Sequence, residues 1–126
     1  MSTVVIDEFE LDRKINKYRK YYKWDVNRLW SSIDDKSKIY RALNNVEFHI
    51  NQCKTLWDEG KRLSMDQVDE IRSLMFILGK HIFKGVCRDI DNVKLDVDER
   101  YNIIKKFEEF ENDIEQLDVW VLNQDL

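Results

Sequence analysis

The stretch KIYRALNNVEFHINQCKTLW, residues 38–57, carries Ile39, Leu43, Val46, Ile50, Cys53 and Trp57 at alternating spacings of four and three. Side chains three and four apart share one face of an α-helix, so these six groups form a single apolar seam. Arg41, Asn44, Asn45, Glu47, Asn51 and Gln52 fall between them and supply the solvated side. A half-buried strand would alternate with a period of two, and this stretch does not. The seam predicts a long helix that needs other helices to cover it.

The same spacing recurs near the C-terminal end in Ile103, Phe107, Phe110, Ile114, Leu117 and Val121, and more loosely near the start in Leu11, Ile15, Tyr18, Tyr22, Val26 and Leu29. The segment IRSLMFILGKHIF, residues 71–83, is apolar over more than half its circumference. Chiefly Glu70, Lys80, Lys84 and Arg88 form its narrow polar strip, so it reads as the most buried helix, with an exposed dimer or partner face as the rival reading. Gly79 and Gly85 each cost that helix about 1 kcal/mol against alanine, which suits the close approach of a neighbouring backbone.

Helix boundaries follow from local chemistry. Ser32 with Asp35, Ser64 with Gln67 and Asp96 with Glu99 have the spacing of capping boxes, in which two side chains satisfy orphan backbone N–H groups. Gly60 is suited to end the helix before it. These signals predict helices over about residues 6–30, 33–59, 65–88 and 97–122, the first with a break near Asp25 as an alternative. Short connections favour antiparallel neighbours, so the expected fold is all-α, an antiparallel up-and-down bundle of about four long helices in one domain spanning residues 1–126. A helical hairpin completed by dimerisation is the alternative.

Bulk composition agrees. The chain of 126 residues has no proline and only three glycines, 43% apolar residues and 37% charged ones, which suits long helices with solvated faces. Its formal net charge is −4. No apolar run reaches membrane-spanning length and the first residues lack a signal-peptide pattern, so an intracellular protein away from the membrane is expected. Cys53 and Cys87 lack the CxxC spacing of a zinc or redox site and read as buried thiols.

Functional signals concentrate in KINKYRKYYKW, residues 14–24. On a continuous helix Arg13, Lys17, Tyr21, Trp24 and Arg28 form one stripe opposite the apolar seam, with Lys20 beside it. Aromatic and arginine side chains dominate many protein–protein contacts, so Tyr21, Trp24 and Arg28 are the first candidates for binding a partner protein. The acids of the last helix, Glu111 and Glu115 above all, form a second candidate docking surface. Nucleic acid is the alternative partner for Arg13, Lys17, Lys20, Tyr21, Trp24 and Arg28, since cations displace counterions along phosphates and rings stack on unpaired bases. A structural reading competes with both: a last helix running antiparallel beside the first would bring Glu108, Glu111, Glu115 and Asp118 to its lysines and arginines. Rings off the seams, at Phe48 and Trp120, add to the case for a partner.

Catalytic signals are sparse. Glu108, Glu111, Glu115 and Asp118 share a face that suits a divalent cation in a metal-dependent hydrolase, but only Asp66, Asp69 and Glu70 offer a second acidic group, and a solvated flank is the preferred reading. His49 sits four residues from Cys53 without an orienting acid. No phosphate-binding glycine loop, HExxH or EF-hand pattern occurs. The expected function is therefore a non-enzymatic adaptor, inhibitor or regulatory subunit that binds a protein, with a homodimer as a further option and no cofactor.

Overall fold

The computed structural model describes residues 5–21, 36–85 and 95–124. They form an all-α bundle of four helices: α1 Glu8–Tyr21, α2 Lys36–Asp58, α3 Met65–Gly85 and α4 Val97–Asn123. The seams predicted for α2 and α4 are its centre. Ile39, Leu43, Val46, Ile50 and Cys53 from α2 meet Ile103, Phe107, Phe110, Ile114, Leu117 and Val121 from α4, and all are buried. From α3 come Val68, Ile71, Met75 and Leu78, and from α1 come Leu11, Ile15 and Tyr18. Removing this surface from water is the main favourable term in forming the bundle.

The caps explain where the helices begin and end. Ser64 Oγ accepts the Gln67 N–H while Gln67 Oε1 accepts the Ser64 N–H, and Asp96 and Glu99 exchange the same two bonds at the start of α4. Ser32 lies outside the described residues. At the end of α2 the Lys61 N–H bonds the Leu56 carbonyl and the Gly60 N–H bonds the Trp57 carbonyl, the paired pattern of a Schellman motif. Gly60 adopts φ 71°, the left-handed conformation such a stop needs. The start of α1 carries a cap that the sequence reading passed over: Asp7 Oδ1 accepts the N–H groups of Phe9 and Glu10, so the helix begins two residues later than expected.

Helix directions follow from the order of cross-contacts. Lys36 pairs with Glu99, Glu47 with Lys106 and Lys54 with Asp113, so α2 and α4 run the same way. The ring of Trp57 stacks on that of Trp120 with centroids 4.9 Å apart, continuing the series. Trp120 is thus a half-buried partner of the α2 seam and not the stray ring its position suggested. Between these helices α3 runs back: Leu63, before its start, is clasped by Gln124 at the end of α4, and Arg72 pairs with Asp118. The sequence α2–α3–α4 is therefore up-and-down.

Against this trio α1 packs into the groove between α3 and α4. Its contacts with α4 ascend together: Asp12 with Arg100, Lys14 with Glu108, Tyr18 with Glu111. The pairing of α1 with α4 is accordingly parallel, where the sequence reading had placed these two helices antiparallel. Charge matching accounts for the direction. In ascending order Asp12 falls beside Arg100 and Lys14 beside Glu108, whereas the reverse order would carry Asp12 toward the acidic second half of α4. Ile104, off the expected seam, is buried because α1 covers it.

Candidate functional site

Once α1 is seated, its outer face is fixed. Leu11, Ile15 and Tyr18 point inward, which leaves Phe9, Arg13, Lys17 and Lys20 facing solvent at helical spacing. Phe9 is 90% exposed and Tyr21, at the last position of α1, is 72% exposed. Two large exposed rings on one helix face make it the candidate interaction surface. Phe9 was missed in the sequence reading, although it stands four residues before Arg13 and extends the same stripe backward by one turn.

The basic residues on this face are not equivalent. Arg13 lies 3.8 Å from Glu10 and is partly neutralised by it. Lys17 and Lys20 are exposed on the same surface. Carboxylates border it as well: Asp7, Glu10, Asp12 and Glu111 line the same hollow as Arg13, Lys17, Lys20 and Tyr21. Trp24 and Arg28, the other two residues of the stripe, lie outside the described residues.

The acidic flank of α4 divides into two halves. Glu108 receives Lys14 at 3.2 Å, and Glu111 accepts the Tyr18 hydroxyl. The expected charge matching between the first and last helices therefore holds for Glu108 alone, in parallel and not antiparallel order, while Glu111 meets a neutral hydroxyl. Glu115, one turn further on, is exposed. Asp118 is taken by Arg72. Dispersed across separate partners in this way, the carboxylates do not converge, and among the described residues no group of three or more His, Cys, Asp or Glu is placed to hold a metal ion. Asp66, Asp69 and Glu70 lie exposed on the first turns of α3, and Asp69 pairs with Arg72.

Cys53 is buried in the core, where loss of solvent raises its thiol pKa and holds it in the protonated form. His49 is half-buried, with Phe48 edge-on at 5.8 Å. Phe48 itself remains 58% exposed, as its position off the seam implied. At the other end of α2, Glu99 receives Lys36 and the Tyr40 hydroxyl. Burial opposes ionisation of Glu99, but the hydrogen bonds from Lys36, the Asp96 N–H and Tyr40 outweigh it, together with the lysine charge, and hold the carboxyl below its ordinary range. These groups fasten α2 to α4. Among the described residues no helix is long and apolar enough to cross a membrane. Compared with known proteins, the chain matches no family model, no curated protein and no solved structure.

Proposed function

We propose that this chain is a non-enzymatic interaction module, an adaptor, inhibitor or regulatory subunit inside the cell, that occupies the surface of a partner protein with the outer face of α1. The observation that carries the reading is the exposure of Phe9 and Tyr21 at the two ends of a face bearing Arg13, Lys17 and Lys20. A ring that leaves water on binding supplies most of the affinity of such a contact, and flanking cations set its orientation. Of the two acids of α4, Glu111 borders the same hollow and is engaged by Tyr18, which leaves Glu115 as the acid available for docking.

Nucleic acid is the second reading for the same face, favoured by the closeness of Arg13, Lys17 and Lys20. Against it stand Asp7, Glu10, Asp12 and Glu111 around the same hollow, because carboxylates there repel a phosphate backbone. Purifying the protein from its source with and without nuclease separates the two. A stoichiometric protein partner that survives nuclease, and is weakened by Phe9→Ala and by Lys17→Glu with Lys20→Glu, supports the module. Nucleic acid that is lost steeply on raising salt reverses the ranking.

A further inference from the structure

We infer that the outer face of α2 pairs with the same face of a second copy of this chain, the two α2 helices running antiparallel about a two-fold axis. The inference is separate from the reading of α1, which packs on α3 and α4. It starts from a second strip on α2, opposite the buried seam. Arg41, Asn45, Phe48, Gln52, Thr55 and Glu59 recur at alternating spacings of four and three, and all six are exposed. Side chains so spaced share one face of a helix. Glu59, just past the last residue of α2, keeps the register, since its N–H bonds the Thr55 carbonyl at 3.0 Å.

The strip has the composition of a contact and not of a solvated face. The chain is 37% charged, yet on this strip the residues between Arg41 and Glu59 carry no charge. The nearby charges of α2, Glu47 and Lys54, are turned to α4 and paired there with Lys106 and Asp113. At the centre of the strip stands Phe48, 58% exposed. Depletion of charge around an aromatic ring is the compositional mark of the middle of a protein interface. Beside the ring lies a hollow of about 670 Å³ between α2 and α3, lined by Gln52 and Leu56 and by the buried Cys53 and Ile71.

The charges at the two ends of the strip select a second copy as the occupant. Arg41 stands at its start and Glu59 at its end. Two such strips laid antiparallel place Arg41 of each copy opposite Glu59 of the other. The same register sets Asn45 opposite Thr55, and Phe48 opposite Gln52 at the rim of the hollow. Each pairing then occurs twice, as a two-fold contact requires. Parallel strips would instead oppose Arg41 to Arg41 and Glu59 to Glu59. Among the described residues Arg41 makes no ion pair, and Lys61 takes only Oε2 of Glu59, at 2.9 Å, which leaves Oε1 to accept the arginine. Amides and hydroxyls both donate and accept, so Asn45, Gln52 and Thr55 can satisfy their counterparts without charge.

Sedimentation equilibrium on the full chain, from micromolar to millimolar concentration, tests the inference. The expected result is a reversible dimer. Phe48→Ala should weaken it by about tenfold or more, since the contact buries this ring twice. Arg41→Glu and Glu59→Arg should each weaken it by about the same factor, because each sets like charges together at both ends. Mixing these two variants should restore a heterodimer. Joining both changes in one chain should restore the homodimer, and that chain keeps the parent's net charge, so its recovery reports the register. A monomer at every concentration, a dimer indifferent to Phe48→Ala and to both reversals, or no recovery on joining the reversals overturns the inference. Circular dichroism checks that the variants fold; should a reversal unfold the chain, Arg41→Gln and Glu59→Gln replace it and must weaken the dimer. Phe9→Ala, on α1, should leave the dimer unchanged. A dimer lost with Phe9→Ala and kept with Phe48→Ala would move self-pairing to α1 and overturn the assignment to α2.

Discussion

Lys14 Nζ lies 3.2 Å from Glu108 Oε1, and this pair records the direction in which α1 lies on α4. Both side chains are partly solvated, so the pair orients the helix more than it stabilises it. Each of Lys14→Met and Glu108→Gln should cost less than about 1 kcal/mol in urea unfolding, with a double-mutant coupling inside that limit. A coupling found between Lys14 and Glu115, and absent with Glu108, would refute the parallel register.

Phe107 behaves differently because it is wholly buried and its ring meets Tyr18 edge-on at 5.2 Å. Phe107→Ala should destabilise the bundle by about 3–5 kcal/mol, as an unfilled cavity beneath α1 adds to the lost transfer energy. Tyr18→Phe keeps the ring and removes the bond to Glu111, so its cost should be nearer 1 kcal/mol. Equal losses for the two variants in chemical denaturation would mean that α1 is held by the hydroxyl and not by the packed ring.

Gly60 isolates a backbone effect from a packing effect. A methyl group at that position meets nothing within 4 Å, yet the residue sits at φ 71°. Gly60→Ala should therefore cost about 1 kcal/mol through conformation alone, and Gly60→Asn less, since asparagine tolerates the left-handed region better. Thermal melts that rank alanine above asparagine would contradict the Schellman stop.

Glu99 supplies a pH-dependent test. Its carboxyl is held below the ordinary value of 4.5, so the ionised form is favoured in the folded state. That contribution is present above pH 4.5 and is lost as pH falls through the depressed folded value. Glu99→Gln cannot titrate, so it should be less stable than the parent at neutral pH, and the difference should close progressively in acid. A gap that stays constant from neutral pH down to strong acid would show that Lys36 and Tyr40 gain nothing from the charge.

The second and fourth helices were legible because their seams are long and regular: no other arrangement places Ile39, Leu43, Val46, Ile50 and Cys53 on one face, and all five are buried. Two capping boxes were legible for the same reason, since their chemistry is local in the chain. The direction of α1 was not. It depends on which of several equally spaced acids receives Lys14, and the spacing of Glu108, Glu111 and Glu115 fits either direction until Asp12 and Arg100 are placed together. Ile104 was missed, and Trp120 taken for a stray ring, because their cover comes from a neighbouring helix and not from their own seam. The candidate site was read from its cations and rings at Arg13, Lys17, Lys20 and Tyr21, while Phe9 was passed over because it precedes the basic run.

Phe9 gives the most direct test of function because it contributes so little to the fold. At 90% exposure it has almost no surface to lose on truncation, so Phe9→Ala should leave stability within about 0.5 kcal/mol of the parent. If the face docks a protein, the same change removes a ring that becomes buried only in the complex, and affinity should fall by about tenfold or more. Lys17→Ala should act differently, through slower association and a weaker dependence on salt. Isothermal titration and stopped-flow binding with the isolated partner separate these effects. A Phe9→Ala variant that folds and binds as the parent does would move the docking surface away from α1.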